Sequence, residues 1–298
     1  MRALLIAAVV LGVVLVVRSL DLDALGAALA SAQAWPLLAA AVINFGIIAV
    51  KAVAWRWLLA PAYRVSVVRL VRYALASSAA STIAPLRAGE LVRLWLLRAR
   101  DGVPLARGAA VAVAEKLLDA VSMLILVAPL PWLVRDLPAA LDRWIPALAL
   151  ALVVALLVIC AGGRRLSPET RLGRFAAGFA PVRRPRTFVA VTAVLLVGWL
   201  IDLAMIHLVL RAVGIELPIE AGVLVLATLN LAIALPSTPG QVGALEVGAL
   251  VGLRLLGVPE AEGLAFALLY HAVQMIPVLV AGLALNADAV LARREPGS

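Results

Sequence analysis

The chain has 298 residues, 65% of them hydrophobic and only 14% charged, with a mean hydropathy of +1.10. Soluble domains are about 45–50% apolar and about 25% charged, so the composition excludes an ordinary soluble protein and indicates a polytopic membrane protein with little mass outside the bilayer. The net charge of +9 is carried almost wholly by arginine, which suits cytoplasmic loops facing anionic headgroups. No basic stretch is interleaved with aromatics, which argues against nucleic-acid binding.

Residues 1–17 are basic at Arg2 and then apolar. They read as an uncleaved first helix, because the Ala28-Leu29-Ala30 motif lies too far past the apolar run to be a cleavage site. Residues 24–50 are 27 uncharged positions and predict a second helix running on to Trp57. Trp35, Trp55 and Trp57 are assigned to the two interfaces, and Lys51 is expected to snorkel outward. Residues 73–86 are only 14 uncharged positions. At 1.5 Å per residue they reach roughly 20 Å, short of a hydrocarbon core of about 30 Å.

That segment stops at Pro85 and resumes after Gly89, and it reads as a re-entrant hairpin. Residues 108–134 predict a long helix carrying Glu115, Lys116 and Asp119. Residues 144–163 are a clean uncharged span, followed by seven arginines against one glutamate in 164–186, the main cytoplasmic loop. Residues 187–210 span again, with Asp202 and His207 inside. The uncharged run 221–245 is interrupted by Pro236, Pro239, Gly240 and Gly243. Proline removes a backbone donor, and hydrocarbon tolerates such a break only inside protein or facing water, so this run reads as a second re-entrant hairpin. Residues 263–287 form the last span, with His271 near its middle.

Charge asymmetry supports this layout. Residues 56–107 carry nine arginines against two acids, whereas 211–262 are net acidic; positive-inside counting places both termini in the cytoplasm. The expected fold is an all-α polytopic membrane protein of roughly six transmembrane helices plus two re-entrant hairpins. It is read as one integral membrane domain, 1–298, in which a first repeat (24–134) and a second repeat (187–287) have inverted topology. Both hairpins carry the pattern Pro-x-x-x-Gly, at Pro85–Gly89 and Pro239–Gly243. Inverted repeats with broken helices meeting near the midplane characterise many transporters.

Several side chains are candidates for a substrate site. Glu115 and Asp119 are spaced i, i+4 and share a helix face, and intramembrane charges usually face a partner or a cavity. Arg87, on the first broken loop, is the expected partner. Two readings stay open: a polar cavity in which Arg87 and Lys116 grip an anionic headgroup, or a structural ion-pair network holding the hairpin. Glu90 is placed in the cavity beside Arg87. The helix N-termini after Pro85 and Pro239, with Gly240 and Gly243 allowing close backbone approach, offer a second anion site, or a satisfied structural turn. Glu246 is either a cavity carboxylate or a cap. His271 lies opposite the position matched to Glu115, whereas His207 reads as a hydrogen-bonded core histidine.

No catalytic residue is assigned. Ser237 and Thr238 lack a neighbouring histidine and a Gly-x-Ser-x-Gly elbow. Two histidines on separate helices give no metal-ligand spacing. The single cysteine, Cys160, cannot make an internal disulfide. No P-loop is present, and no cofactor is expected.

Three stretches carry a resemblance: Pro85-Leu-Arg-Ala-Gly-Glu90 followed by Arg93; Glu115-Lys-Leu-Leu-Asp119; and Pro239-Gly-Gln-Val-Gly243 with Glu246, Gly257 and Leu268-Leu269-Tyr270. Together they resemble the transmembrane-region family of lysylphosphatidylglycerol synthase, the flippase-like domain. The resemblance implies an inner-membrane protein concerned with moving lipids or lipid-linked intermediates, with membrane lipids as its partners. It does not imply lipid aminoacylation, because the soluble aminoacyl-transferase domain is not in this chain. Relatives often carry arginine where His271 stands. The leading expectation is a lipid translocator working through a polar cavity between the two hairpins. A membrane transferase acting on a lipid or polyprenyl phosphate, with Glu115 or Asp119 as base, and an accessory subunit of a lipid-modifying enzyme are the alternatives.

Overall fold

A computed structural model describes residues 22–83, 88–133, 175–234 and 239–285, with isolated positions between 147 and 170. Every element among these residues is helical. The expected helix at 1–17, most of the span at 144–163 and the Arg87 tip of the first hairpin lie outside the described residues.

The uncharged run 24–50 is not one helix. It is α1, Leu22–Ala30, and α2, Ala34–Leu59. Between them the backbone N–H of Gln33 donates to the carbonyl of Ala212 at 2.8 Å. Pro36 falls in the first turn of α2, where no intrahelical donor is needed. Next come α3, Val67–Ile83, and α4, Ala88–Asp101. α5, Leu105–Val127, is shorter than the 108–134 expectation; Pro129 and Pro131 interrupt it, leaving α6, Leu130–Leu133, as a separate turn.

The second half contains α7, Pro185–Ala212, and α8, Ile219–Ala234. A 3-10 turn, Pro239–Gln241, leads to α9, Ala244–Leu255, and then α10, Glu260–Ala284. α2, α7 and α10 are long and apolar enough to cross a membrane. α5 is also long enough, at roughly 34 Å, but carries Arg107, Glu115, Lys116 and Asp119. The protein is therefore an all-α membrane protein, as its composition requires.

The described chain forms two compact units. One joins the segment ending at Asn44 to Asp202–Leu279, with the end of α3; the other joins Phe45–Ala80, Gly89–Ile201 and the segment from Val280. The second unit is built on a core of Trp55, Leu58, Leu59, Tyr73, Leu97, Val111, Leu118 and Leu195. α2 and α7 approach closely there at Gly198, where an added Cβ would lie 3.2 Å from Val50.

In the first unit α8 and α9 run antiparallel in near backbone contact. A Cβ at Gly248 would lie 2.8 Å from the Cα of Leu229, and one at Gly252 would lie 3.0 Å from the Cα of Val225. Gly248 and Gly252 form a Gly-x-x-x-Gly pair, the spacing that lets membrane helices approach backbone to backbone.

Asn44, 3% exposed, repairs a defect in α10 of the same unit. Pro277 lies inside that helix, so the carbonyl of Val273 loses its i+4 donor. The Asn44 side-chain amide donates to Val273 O at 3.2 Å and to Gln274 O at 2.8 Å. Asn44→Leu is expected to cost about 1–3 kcal/mol, the range for stranding a buried acceptor. Combined with Pro277→Ala, which restores the helix's own donor, the loss should fall well below the sum of the single changes. Thermal unfolding of the four proteins in one detergent measures this coupling.

Candidate functional site

Each unit holds its own polar cluster. In the second, the acid pair of α5 is buried against α2. Lys51 Nζ lies 3.5 Å from Asp119 Oδ2 and 3.8 Å from Glu115 Oε1. One turn on, Trp55 donates its indole N–H to Glu115 Oε2 at 3.2 Å. Lys51 and Trp55 are spaced i, i+4, as are Glu115 and Asp119, so the two faces match. Trp199 of α7 donates to the backbone carbonyl of Asp119 at 3.1 Å and holds the third side.

This arrangement corrects two expectations. Lys51 turns inward to the carboxylates instead of snorkelling, and Trp55 is 2% exposed in the core instead of lying at an interface. Trp35 is exposed, with the Arg211 guanidinium 5.3 Å from its ring centre. Among the described residues the cation that pairs with the acids is Lys51; Arg87, the expected partner, lies outside them.

Lys116 follows Glu115 in sequence but points about 100° away around the helix. It pairs with Glu90 of α4 at 3.5 Å, both side chains half-exposed. Glu90 thus faces a lysine of the neighbouring helix. Three residues beyond Glu90, Arg93 lays its guanidinium over the Trp55 ring, 4.6 Å from the centre, a cation–π contact. Its Nε is buried and has no hydrogen-bond partner among the described residues, and the same holds for Glu115 Oε1. Among the described residues cations and carboxylates balance: Lys51, Arg93 and Lys116 against Glu90, Glu115 and Asp119. Of the three cations, Lys51 is committed to the buried acids. Arg93 and Lys116 retain donors that a phosphate oxygen satisfies.

In the first unit the turn that leads into α9 is left-handed. Gly240 has φ 65°, Gln241 φ 63° and Gly243 φ 87°. Glycine occupies two of these positions because a Cβ is strained there. Pro239 begins a 3-10 turn between two separate helices; it does not kink one continuous crossing. Glu246 Oε2 accepts the N–H of Gly243 at 2.6 Å and caps α9. Its other oxygen, Oε1, lies 2.5 Å from His271 Nδ1, and His271 Nε2 lies 2.8 Å from the carbonyl of Gly240.

Glu246 is therefore both a cap and a buried partner. The N-terminus of α9, expected as an anion site, already holds its own chain's carboxylate. Beside this triad, Tyr270 donates to Asp202 at 2.5 Å. His207 lies apart, with Nδ1 2.9 Å from the carbonyl of Leu203.

Sequence reasoning paired Glu115 with Asp119 and named Gly240, Gly243, Glu246 and His271 as candidates, but did not join His271 to the other three. It missed Lys51, Trp55 and the Arg93 stacking, although the i, i+4 spacing of Lys51 and Trp55 was a usable signal. The Tyr270–Asp202 bond had no sequence signal, since 68 positions separate the partners.

Long apolar helices with a polar cluster buried in each unit define a polytopic membrane protein. The family model for the lysylphosphatidylglycerol synthase TM region matches residues 2–282, nearly the whole chain, and the protein belongs to that family. No curated protein matches it closely enough to compare. Family membership marks it as a lipid-related membrane protein.

Proposed function

We propose that this protein is a translocator of the inner membrane that moves an anionic phospholipid or lipid-linked phosphate, with both termini cytoplasmic. The observation that carries this reading is Arg93. Its charge is stacked on Trp55, its buried Nε lacks a partner among the described residues, and half-exposed Lys116 stands on the adjoining helix. A lipid phosphate satisfies both cations and displaces Glu90 from Lys116. Lys51, Glu115 and Asp119 position the helices that present them.

The helix lengths support re-entrant hairpins. α3 and α4 are roughly 25 and 21 Å long, α8 and α9 roughly 24 and 18 Å, all short of a core of about 30 Å. The antiparallel contact of α8 with α9 suits a hairpin that returns to its own face. The arginine-rich segments at 56–107 and 164–186 support the orientation, and an inverted-repeat arrangement of 24–134 and 187–287 is part of the proposal.

The test is purified protein in liposomes carrying a fluorescent lipid whose exposure is read by a membrane-impermeant quencher. Arg93→Ala or Lys116→Ala, each with unfolding unchanged, is expected to slow anionic lipid at least about tenfold, as loss of a charged hydrogen bond predicts. Lys116→Arg should retain most of the rate. Unaltered rates in both alanine variants overturn the reading, and a chemically altered lipid replaces it with a transferase.

A further inference from the structure

Resting on the translocator reading above, we propose that Glu246 and His271 form a one-proton site that latches the break before α9, so that proton release unlocks the hairpin tip and couples a proton gradient to lipid movement.

The geometry requires a proton in the link. A carbonyl only accepts, so His271 Nε2, 2.8 Å from Gly240 O, carries its hydrogen. Nδ1 then faces Glu246 Oε1 at 2.5 Å. That contact holds either an imidazolium donating to a carboxylate or a carboxylic acid donating to a neutral imidazole. Both forms contain one proton besides the one on Nε2, and both are neutral as a pair. Without that proton, a nitrogen lone pair abuts a carboxylate in a site where the two side chains are only 9% and 15% exposed.

Neither partner escapes by a side-chain turn alone. Swinging Glu246 releases the Gly243 N–H that it caps, and turning His271 releases the Gly240 carbonyl. Both anchors lie in the segment where Gly240, Gln241 and Gly243 hold positive φ. Gln241 is the residue with least reason to stay there once released.

Among the described residues no other charged group bears on the pair. On α10 the neighbouring Tyr270 is turned to Asp202 of α7. His271 lies roughly 16 Å along a helix of roughly 37 Å, near the middle of a candidate span. One proton taken up from one face and released to the other completes a cycle. Only N–H and O–H bonds change, and the membrane's proton gradient is the sole co-reactant.

The protein has two histidines, so ¹⁵N-histidine labelling of the full chain in nanodiscs reads the site directly, with His207→Gln for assignment. His271 is expected to show both ring nitrogens protonated at neutral pH and to lose one proton as pH rises. A ¹⁹F tag on Val242→Cys, in a Cys160→Ser background, is expected to shift with the same midpoint. Glu246→Gln, which keeps the capping oxygen, should flatten both responses.

In liposomes an imposed pH gradient should accelerate labelled-lipid movement, and His271→Gln should abolish that acceleration. A His271 whose ¹⁵N shifts do not respond to pH, a tag that ignores their titration, or lipid movement indifferent to the gradient overturns the proposal. If no lipid moves under any gradient, the translocator reading fails. The two spectra then still decide the latch: joint titration supports it, and independent behaviour ends it.

Discussion

Lys51→Met is expected to be the most damaging conservative change in the second unit, costing about 3–5 kcal/mol of stability. Lysine and methionine have similar stems, so packing is nearly preserved. What is lost is the cation between Asp119 at 3.5 Å and Glu115 at 3.8 Å. The two carboxylates then remain buried side by side, and breaking one member of a buried ionic group costs far more than removing the whole group. Adding Glu115→Gln and Asp119→Asn to Lys51→Met should therefore recover most of the loss. The glutamine oxygen still accepts from Trp55. Thermal unfolding in detergent, with tryptophan fluorescence as the signal, measures both steps. Equal destabilisation of the single and triple variants would show that the ions matter only through packing.

The second large effect belongs to the α8–α9 hairpin. Gly248→Leu is expected to abolish the folded first unit, and Gly248→Ala to cost about 1–3 kcal/mol, the range for overpacking a tight contact. A Cβ there meets the Cα of Leu229 at 2.8 Å and the carbonyl of Thr228 at 2.9 Å. Both are backbone atoms on the facing helix and cannot rotate away. A flexible obstacle gives a control: at Gly46 the added Cβ would meet the tip of Ile201 at 3.1 Å, so Gly46→Ala should be mild. Proteolysis of purified variants, followed by the loss of protected α8–α9 fragments, checks the ranking.

The two units also explain why the candidate sites were unequally legible. Glu246 and Gly243 are three residues apart, so their cap is readable as local spacing. Glu115 and Asp119 share a helix face for the same reason. His271, 25 positions from Glu246, was a candidate only for its place opposite the position matched to Glu115, not as a partner of Glu246. The pairing of Lys51 with the acids depended on which helix packs against α5, which periodicity on one strongly apolar helix does not report. α2 is apolar on nearly every face, so nothing in its pattern marks the side that carries Lys51 and Trp55 inward.

By itself the sequence determined the solvent and the class of structure. Few charges over so many apolar residues leave only bundled helices as a way to satisfy the backbone in lipid, and prolines and glycines mark where those helices stop. The tertiary structure decided the pairings: Lys51 with two acids, Asn44 with the carbonyl stranded by Pro277, His271 with Glu246 and Gly240. Helix formation is settled by neighbours within four positions, whereas a buried polar atom is satisfied by whatever packing brings within about 3 Å, and only the folded chain specifies that.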